Sequence, residues 1–239
     1  MKKNKTKIVL EQIYNTESKL LEIGIDEAGR GPMFGRVYSA AVILPKNTDF
    51  KYELLKDSKK FSSEKKINEV AEYIKENSLA WNVSYEDETI IDKINIRNAT
   101  HNAMHKAINN ITNKIKNNDI LCNQFYLLVD GNDFKPYTYL NNNSNIIEQI
   151  NHILIEGGDN KYCSIAAASI IAKVERDKYI KELCNCYKKL NEYYNMEKNK
   201  GYGTAKHMEG ISNIGISPWH RKTYGCCKNA KLNDKDFFL

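Results

Sequence analysis

The chain has 239 residues, of which 41% are hydrophobic and 28% are charged, and its formal net charge is +6. This composition is typical of a globular protein and argues against a disordered or fibrous chain. No apolar run approaches the roughly 20 residues that cross a bilayer, and the N-terminus lacks the apolar core of a secretory signal, so we expect an intracellular, cytoplasmic protein without membrane contact.

The first half of the chain predicts strands and helices in alternation. Residues 20–26 (LLEIGID) and 37–44 (VYSAAVIL) are short, apolar and rich in β-branched side chains, as strands are. Residues 62–77 predict a helix with a serine cap and an apolar stripe. A third strand is expected over 79–85 and a second helix over 98–116.

The second half continues this pattern. Residues 125–131 (FYLLVDG) and 151–159 (NHILIEGGD) each predict a buried strand that leads to an acid. Between them, the Asn-rich residues 135–145 predict a surface insertion of turns and loops. Residues 163–190 predict one long helix, whose small and apolar first half would pack tightly against a sheet. From residue 191 onward we expect a small helical appendage.

Acidic residues follow three of the predicted strands: Asp26 and Glu27 after the first, Asp130 after a later one, and Asp159 near the last. Any one of them alone is equally well explained as a helix cap or a turn former. Because strand ends of an α/β sheet can meet at one crevice, we expect the four carboxylates to lie together. Clustered carboxylates repel one another unless a hard cation neutralises them, so the set predicts a two-ion Mg²⁺ or Mn²⁺ site for phosphoryl transfer.

A glycine-rich turn follows the first two acids. The stretch GRGPMFG matches neither a dinucleotide-binding fingerprint nor a P-loop, so a nucleotide cradle is not expected. Gly29 and Gly31 would let the backbone approach a ligand, and Arg30 would reach a phosphate or sugar oxygen. A plain tight turn with an exposed arginine is the alternative.

Basic and aromatic residues add further candidates. Lys59 and Lys60 precede a predicted helix, where such a pair is usually solvated. Tyr202 stands between two glycines, with the cations of the segment WHRKTYG, including Arg221, further along the chain. A tyrosine on such a segment can stack on a base or sugar while nearby cations meet phosphates. Alternatively, it covers the edge of the core.

The motifs together resemble those of the ribonuclease HII family, in the family's order. They are GIDEAGRGPMFG, LKDSKKFS, NATHNAMHKAI, LLVDGN, GGDNKYCSIAAASIIAKVERD, KGYGT and HRKTYG. The resemblance spans about residues 23–224. It implies an α/β fold: an RNase H-like mixed five-stranded sheet flanked by helices over residues 1–190, and a small helical, substrate-binding C-terminal region over 191–239.

The resemblance also implies an activity and roles for the candidate residues. The family's metal-binding, catalytic acids fall on Asp26, Glu27, Asp130 and Asp159. Its reader of the ribose 2′-OH falls on Gly29–Arg30–Gly31, and its tyrosine beside the junction sugar falls on Tyr202. The implied reaction is hydrolysis 5′ to a ribonucleotide in RNA–DNA hybrids or in duplex DNA with embedded ribonucleotides, leaving 3′-OH and 5′-phosphate ends. A single-chain, monomeric enzyme is expected, with Lys59 and Lys60 on the phosphate backbone.

Three residues depart from the family's pattern. Arg36 and Gly203 stand where proline is usual, and Gly157 stands where lysine is usual. Gly157 removes a cation near Asp159, and Gly203 is expected to hold Tyr202 less rigidly. Two alternatives stay open: another RNase H-fold DNA nuclease, which would need neither the Gly-Arg-Gly turn nor Tyr202, and an inactive nucleic-acid-binding relative.

Overall fold

A mixed sheet is the centre of the fold in the computed structural model, which describes residues 9–16, 19–46, 49–116, 122–141 and 144–238. Its five strands are β1 (Leu21–Ala28), β2 (Val37–Ile43), β3 (Ala80–Glu86), β4 (Phe125–Asp130) and β7 (Asn151–Ile155). Their order is β3-β2-β1-β4-β7, with β1, β2 and β3 antiparallel and with β4 and β7 added in parallel. The predicted mixed five-stranded sheet is confirmed.

Strand register decides which residues meet at the sheet's functional edge. Ile25 of β1 pairs with Val129 of β4, and Asp130 pairs with Ile155 of β7. Because these three strands are parallel, their carboxyl ends lie at the same edge. Asp26 and Asp130 therefore follow paired residues on neighbouring strands.

Helices cover both faces of the sheet. They are α1 (Glu64–Asn77), α2 (Glu88–Lys116), α3 (Cys163–Cys186), α4 (Lys188–Tyr194), α5 (Met196–Asn199) and α6 (Ala205–Ile214). Side chains of α1 and α3 pack on one face with Ala40 and Val42, whereas α2 packs on the other with Ile23 and Ile25. This alternation along the strands is the period-2 pattern of a sheet buried on both sides. None of the described helices combines the length and the apolar character that a membrane span requires.

Two helix predictions need correction. The helix expected over 98–116 begins ten residues earlier, at Glu88, where Asp87 accepts a hydrogen bond from the Ile90 amide at 2.9 Å. It is broken at Asn95, whose φ of 67° and ψ of 164° are not helical. The helix expected over 163–190 ends at Cys186, because Tyr187 is not helical, and α4 follows.

The Asn-rich insertion is also more regular than expected. It contains a hairpin of β5 (Thr138–Asn141) and β6 (Ile146–Gln149), with Leu140 opposite Ile147. Residues 142–143 of the insertion lie outside the described residues. β-Branched and aromatic residues on either side of an Asn-rich turn were the signal for this hairpin.

Candidate active site and nucleic-acid interface

The four predicted acids lie along the carboxyl edge of the sheet. Asp26 and Glu27 are still within β1, which ends at Ala28 rather than before the acids. Asp130 is the last residue of β4, and Asp159 lies in the short 3-10 turn Gly158–Asn160 beyond β7. The Gly158 amide donates a 2.6 Å hydrogen bond to Asp130 Oδ1, which ties the β4 carboxylate to the turn that carries Asp159.

The carboxylates destabilise each other's charged forms. Burial raises the pKa of Asp26 well above its usual range, and Glu27 and Asp130 raise it further. Burial also raises the pKa of Glu27, against the opposing effect of Arg30 and with an added contribution from Asp130. The pKa of Asp130 is raised by burial and by Asp159. Such mutual effects require close carboxylates, so the structure brings the four acids to one electrostatic neighbourhood.

This neighbourhood fits a divalent cation by its donor chemistry. Within the described ranges, no three His, Cys, Asp or Glu side chains are arranged to hold one metal ion directly. Even so, the donors are carboxylate oxygens, which Mg²⁺ and Mn²⁺ prefer, and bound cations would relieve the repulsion between them. The metal-ligand assignments of Asp26, Glu27, Asp130 and Asp159 stay predictions.

Residues around Asp159 support its assignment over that of a neighbouring acid. Asp159 is buried, whereas Glu156 is exposed. Gly157 adopts a left-handed conformation, with φ 63° and ψ 37°, in which a side chain is strained. Glycine at this position therefore suits the turn that carries Asp159, although the usual lysine is missing.

The turn that carries the two lysines is docked against the acid edge. Ser169 hydrogen-bonds to Asp26, and its Oγ lies 3.1 Å from Ser58 Oγ. Lys59 opposes the effect of burial on the pKa of both Glu27 and Asp130, so its charge lies in the neighbourhood of the acids.

Lys60 has different partners from Lys59. Its ammonium group hydrogen-bonds to Asn160 and lies 3.9 Å from Asp57. Asn160 in turn donates to Asp57 Oδ2 at 3.3 Å. Lys60 thus joins the turn before α1 to the turn that carries Asp159.

The Gly-Arg-Gly turn leaves β1 beside Glu27. Gly29 is buried with a φ of 99°, and a Cβ atom there would lie 2.3 Å from Arg176 Nε, so only glycine fits. Arg30 and Gly31 are exposed, and Arg30 Nη1 lies 3.3 Å from Glu27 Oε1. The turn therefore presents its exposed half next to the acids.

Tyr202 lies beside this turn and is 53% exposed. A Cβ atom on Gly31 would be 3.5 Å from Tyr202 Cε1, so ring and turn are neighbours. The Tyr202 amide donates to the Asn199 carbonyl at 3.0 Å, and the Tyr202 carbonyl accepts from the Thr204 amide at 2.8 Å. These bonds hold the backbone of Tyr202 despite the glycine that follows it.

A buried histidine pair also holds Tyr202. The Ser217 amide donates to His220 Nδ1 at 2.9 Å, so His220 carries its proton on Nε2 and donates it to His207 Nε2, also at 2.9 Å. His207 then donates from Nδ1 to the Tyr202 carbonyl at 2.9 Å. The bonds satisfy both rings in their neutral forms.

Two arginines were missed or misjudged from the sequence. Arg221, expected among cations that meet phosphates, is fully buried and donates to backbone carbonyls of residues 29–35. Arg176 of α3 is also buried and donates to the carbonyls of Phe34 and Lys200. Sequence carried no signal that distinguished these side chains from surface cations.

Arg36 now has a structural explanation. Its guanidinium lies 4.0 Å from the ring centre of Tyr85 and 4.3 Å from that of Tyr179. A cation between two aromatic faces is stabilised by their quadrupoles. Arg36 therefore packs β2 against β3 and α3, next to the Gly-Arg-Gly turn rather than within it.

Comparisons with known proteins identify the family. Residues 23–227 match the family model described as Ribonuclease HII. A ribonuclease HII of Bacteroides thetaiotaomicron is 42% identical over 214 residues, which cover 90% of this chain and 94% of that protein.

Solved structures share the fold. Ribonuclease H2 from Pyrococcus horikoshii superimposes with a TM-score of 0.65 at 21% identity, over 87% of this chain and 96% of that one. Bst-RNase HIII in complex with Mn²⁺ gives a TM-score of 0.58 at 18% identity, over 84% of this chain and 71% of that one. Fold and sequence agree, and the chain belongs to the ribonuclease HII family, the type 2 ribonucleases H.

Proposed function

We propose that the chain hydrolyses the phosphodiester bond on the 5′ side of a ribonucleotide, both in RNA–DNA hybrids and in DNA duplexes with embedded ribonucleotides. The products would end in 3′-OH and 5′-phosphate groups. Membership of the family makes the chain a metal-dependent endonuclease of the ribonuclease H type. The observation that carries the finer proposal is that a partly buried edge of carboxylates lies beside the exposed half of the Gly-Arg-Gly turn and an exposed tyrosine.

The turn is suited to recognising the ribose. The 2′-OH is the group that distinguishes RNA from DNA at one nucleotide. Among the hydrogen bonds of the described residues, none uses the amide of Arg30 or Gly31, and both residues are exposed. These amides would bind the 2′-OH, and Tyr202 would stack on the neighbouring sugar.

The acids and Lys59 are suited to the scissile phosphate. Asp26, Glu27, Asp130 and Asp159 would hold two Mg²⁺ or Mn²⁺ ions, and the Mn²⁺ complex of Bst-RNase HIII supports this choice of metal. When bound, such ions activate water and stabilise the leaving oxygen. Lys59, whose charge lies near the acids, would contact the phosphate backbone, and Lys60 would contact it at the edge of the site.

Cleavage specificity tests the proposal. A labelled duplex with one ribonucleotide is incubated with Mg²⁺ or Mn²⁺ beside an all-DNA duplex of the same sequence, and the products are identified by mass. We expect one cut, 5′ to the ribonucleotide. Equal cutting of both duplexes would identify a general DNA nuclease, and tight binding without cutting in either metal would identify an inactive relative.

A matched pair of variants tests the acids. Asp130→Asn removes a half-buried carboxylate at the sheet edge, whereas Glu156→Gln removes an exposed one nearby. We expect Asp130→Asn to lose activity by about 100-fold or more and Glu156→Gln to keep it. Full activity in Asp130→Asn would refute the metal assignment.

The proposed substrate implies a cellular role for the chain. It would remove ribonucleotides and RNA primers from DNA during replication and repair. A monomeric state and an intracellular location stay predictions.

A further inference from the structure

Arg221 connects the C-terminal segment to the turn that is proposed to read the ribose. It is fully buried, and its guanidinium donates from Nη2 to the Gly29 carbonyl at 2.6 Å and from Nη1 to the Arg30 carbonyl at 3.1 Å. It also donates to the carbonyls of Pro32 at 2.7 Å and Gly35 at 2.9 Å. One side chain thus fixes four carbonyls of a single turn.

The bonds to Gly29 and Arg30 determine where the following amides point. In a trans peptide, the carbonyl of one residue and the N–H of the next lie in one plane and point in opposite directions. Since the Gly29 and Arg30 carbonyls are drawn inward to Arg221, the N–H groups of Arg30 and Gly31 are directed away from it. Those are the two amides proposed to bind the 2′-OH.

Neighbouring residues keep Arg221 in place. The Tyr224 hydroxyl donates to the same Arg30 carbonyl at 3.0 Å. Asp92 of α2 accepts hydrogen bonds from the amides of Lys222 at 2.8 Å and Thr223 at 2.9 Å. The segment after Arg221 is therefore anchored to α2.

The arrangement needs an arginine. A guanidinium offers five N–H donors in a rigid plane, whereas lysine offers one ammonium group on a flexible chain. Burial lowers the pKa of Arg221 to about 10, so the side chain stays cationic at neutral pH. Four carbonyls at fixed positions around one plane suit the guanidinium and cannot all be reached by an ammonium.

We propose that Arg221 is a positioning residue that determines specificity for a ribonucleotide, because it orients the Arg30 and Gly31 amides toward the 2′-OH. The inference rests on the proposed junction specificity. Arg221 would touch no substrate and would act only through the turn. Its loss should therefore remove the preference for ribose and leave general affinity for duplex DNA.

Binding measured in EDTA, where the duplex is not cut, tests whether Arg221 determines the preference for ribose. Fluorescence anisotropy gives the affinity for two duplexes that differ only by one 2′-OH. In Arg221→Gln, we expect the preference for the ribonucleotide duplex to fall by roughly 10-fold, while affinity for the all-DNA duplex changes by less than about twofold. In Mg²⁺, kcat/KM for the ribonucleotide duplex should fall at least as much as the preference does.

Tyr224→Phe provides a milder variant, because it removes one hydrogen bond to the Arg30 carbonyl and leaves the packing intact. We expect its preference to fall by about threefold. Lys222→Ala, which alters an exposed neighbouring side chain, should keep the full preference. If Arg221→Gln does not fold, the preference of Tyr224→Phe for the ribonucleotide duplex tests the proposal instead.

Each outcome distinguishes this inference from the proposed function. A wild-type protein without preference for the 2′-OH refutes junction specificity and the inference with it. A wild-type preference that persists in both Arg221→Gln and Tyr224→Phe refutes the inference alone. Equal loss of affinity for both duplexes, with a lowered unfolding temperature, would show that Arg221 has a merely structural role.

Discussion

Gly24 lies where the central strand β1 packs against the backbone of α3, the helix that carries Ser169. A Cβ atom there would lie 2.1 Å from the carbonyl carbon of Ser164 and 2.5 Å from the Ile165 nitrogen, both in the backbone of α3. Unlike the end of a flexible side chain, these backbone atoms cannot move away without displacing the helix. In Gly24→Ala, the gap must therefore open from 2.1 Å to an ordinary contact of about 3.4 Å by moving α3 away from β1.

We expect Gly24→Ala to cost about 3 kcal/mol of unfolding free energy or more, since overpacking against rigid backbone is at the upper end of its usual range. For a domain of this size, that lowers the unfolding temperature by roughly 6–12 °C. Activity should fall too, because α3 carries Ser169, which hydrogen-bonds to Asp26. Urea unfolding followed by circular dichroism measures the loss of unfolding free energy.

Gly203→Ala is the matched control for this change. Its Cβ atom would meet the flexible side-chain ends of Met33, at 3.3 Å, and Met208, at 3.9 Å. It should cost less than about 1 kcal/mol. If Gly24→Ala unfolds within about 0.5 kcal/mol of Gly203→Ala, the close packing of α3 on β1 is not the constraint that we describe.

Three further predictions concern charge. Burial and neighbouring acids raise the pKa of Asp26 above its unfolded value, so its ionisation destabilises the fold as pH rises. Asp26→Asn should therefore stabilise the protein by about 0.5–2 kcal/mol at neutral pH in EDTA, and it should abolish cleavage. An unfolding temperature below that of the wild type would contradict the expected gain in stability. Burial lowers the pKa of His207 and His220 in the folded protein. The unfolded chain therefore binds more protons at acidic pH, and the unfolding temperature should fall as pH drops from about 7 to about 5. In a His207→Gln/His220→Asn variant, thermal scans should show a smaller fall over the same pH range. An equal slope in both proteins would exclude the pair as the cause. Arg36→Ala should lose about 1–2 kcal/mol in urea unfolding through its two aromatic contacts, and unchanged stability would show that these contacts contribute nothing.

The acid-bearing strands were predictable because their signals are local. Buried strands such as 125–130 are short apolar runs, and the acids stand directly at or after their ends. The α/β pattern predicted that strand ends meet at one crevice, and the parallel pairing of β1 with β4 places Asp26 and Asp130 at the same edge of the sheet. Asp159 was harder to place, because its turn is offset from the end of β7.

The residues that the sequence left ambiguous act over long distances. In the sequence, Arg221 is indistinguishable from the other cations of a basic segment. Its guanidinium nevertheless hydrogen-bonds to backbone carbonyls almost two hundred positions earlier in the chain. Arg36 has its aromatic partners on β3 and α3. Composition and spacing describe a residue's own surroundings in the chain, so neither role was visible before the fold was known.

The order of the strands has a consequence for synthesis on the ribosome. The central strand β1 carries Asp26, but its parallel partner β4, which ends in Asp130, and the next strand β7, which precedes Asp159, emerge much later. Such distant pairings are slow to form and cannot begin until the later segments have left the ribosome. Arg221 emerges later still. A nascent chain therefore has all four carboxylates before Arg221 can bind the turn that is proposed to recognise the ribose, and we expect selective cleavage to arise only after Arg221 has left the ribosome.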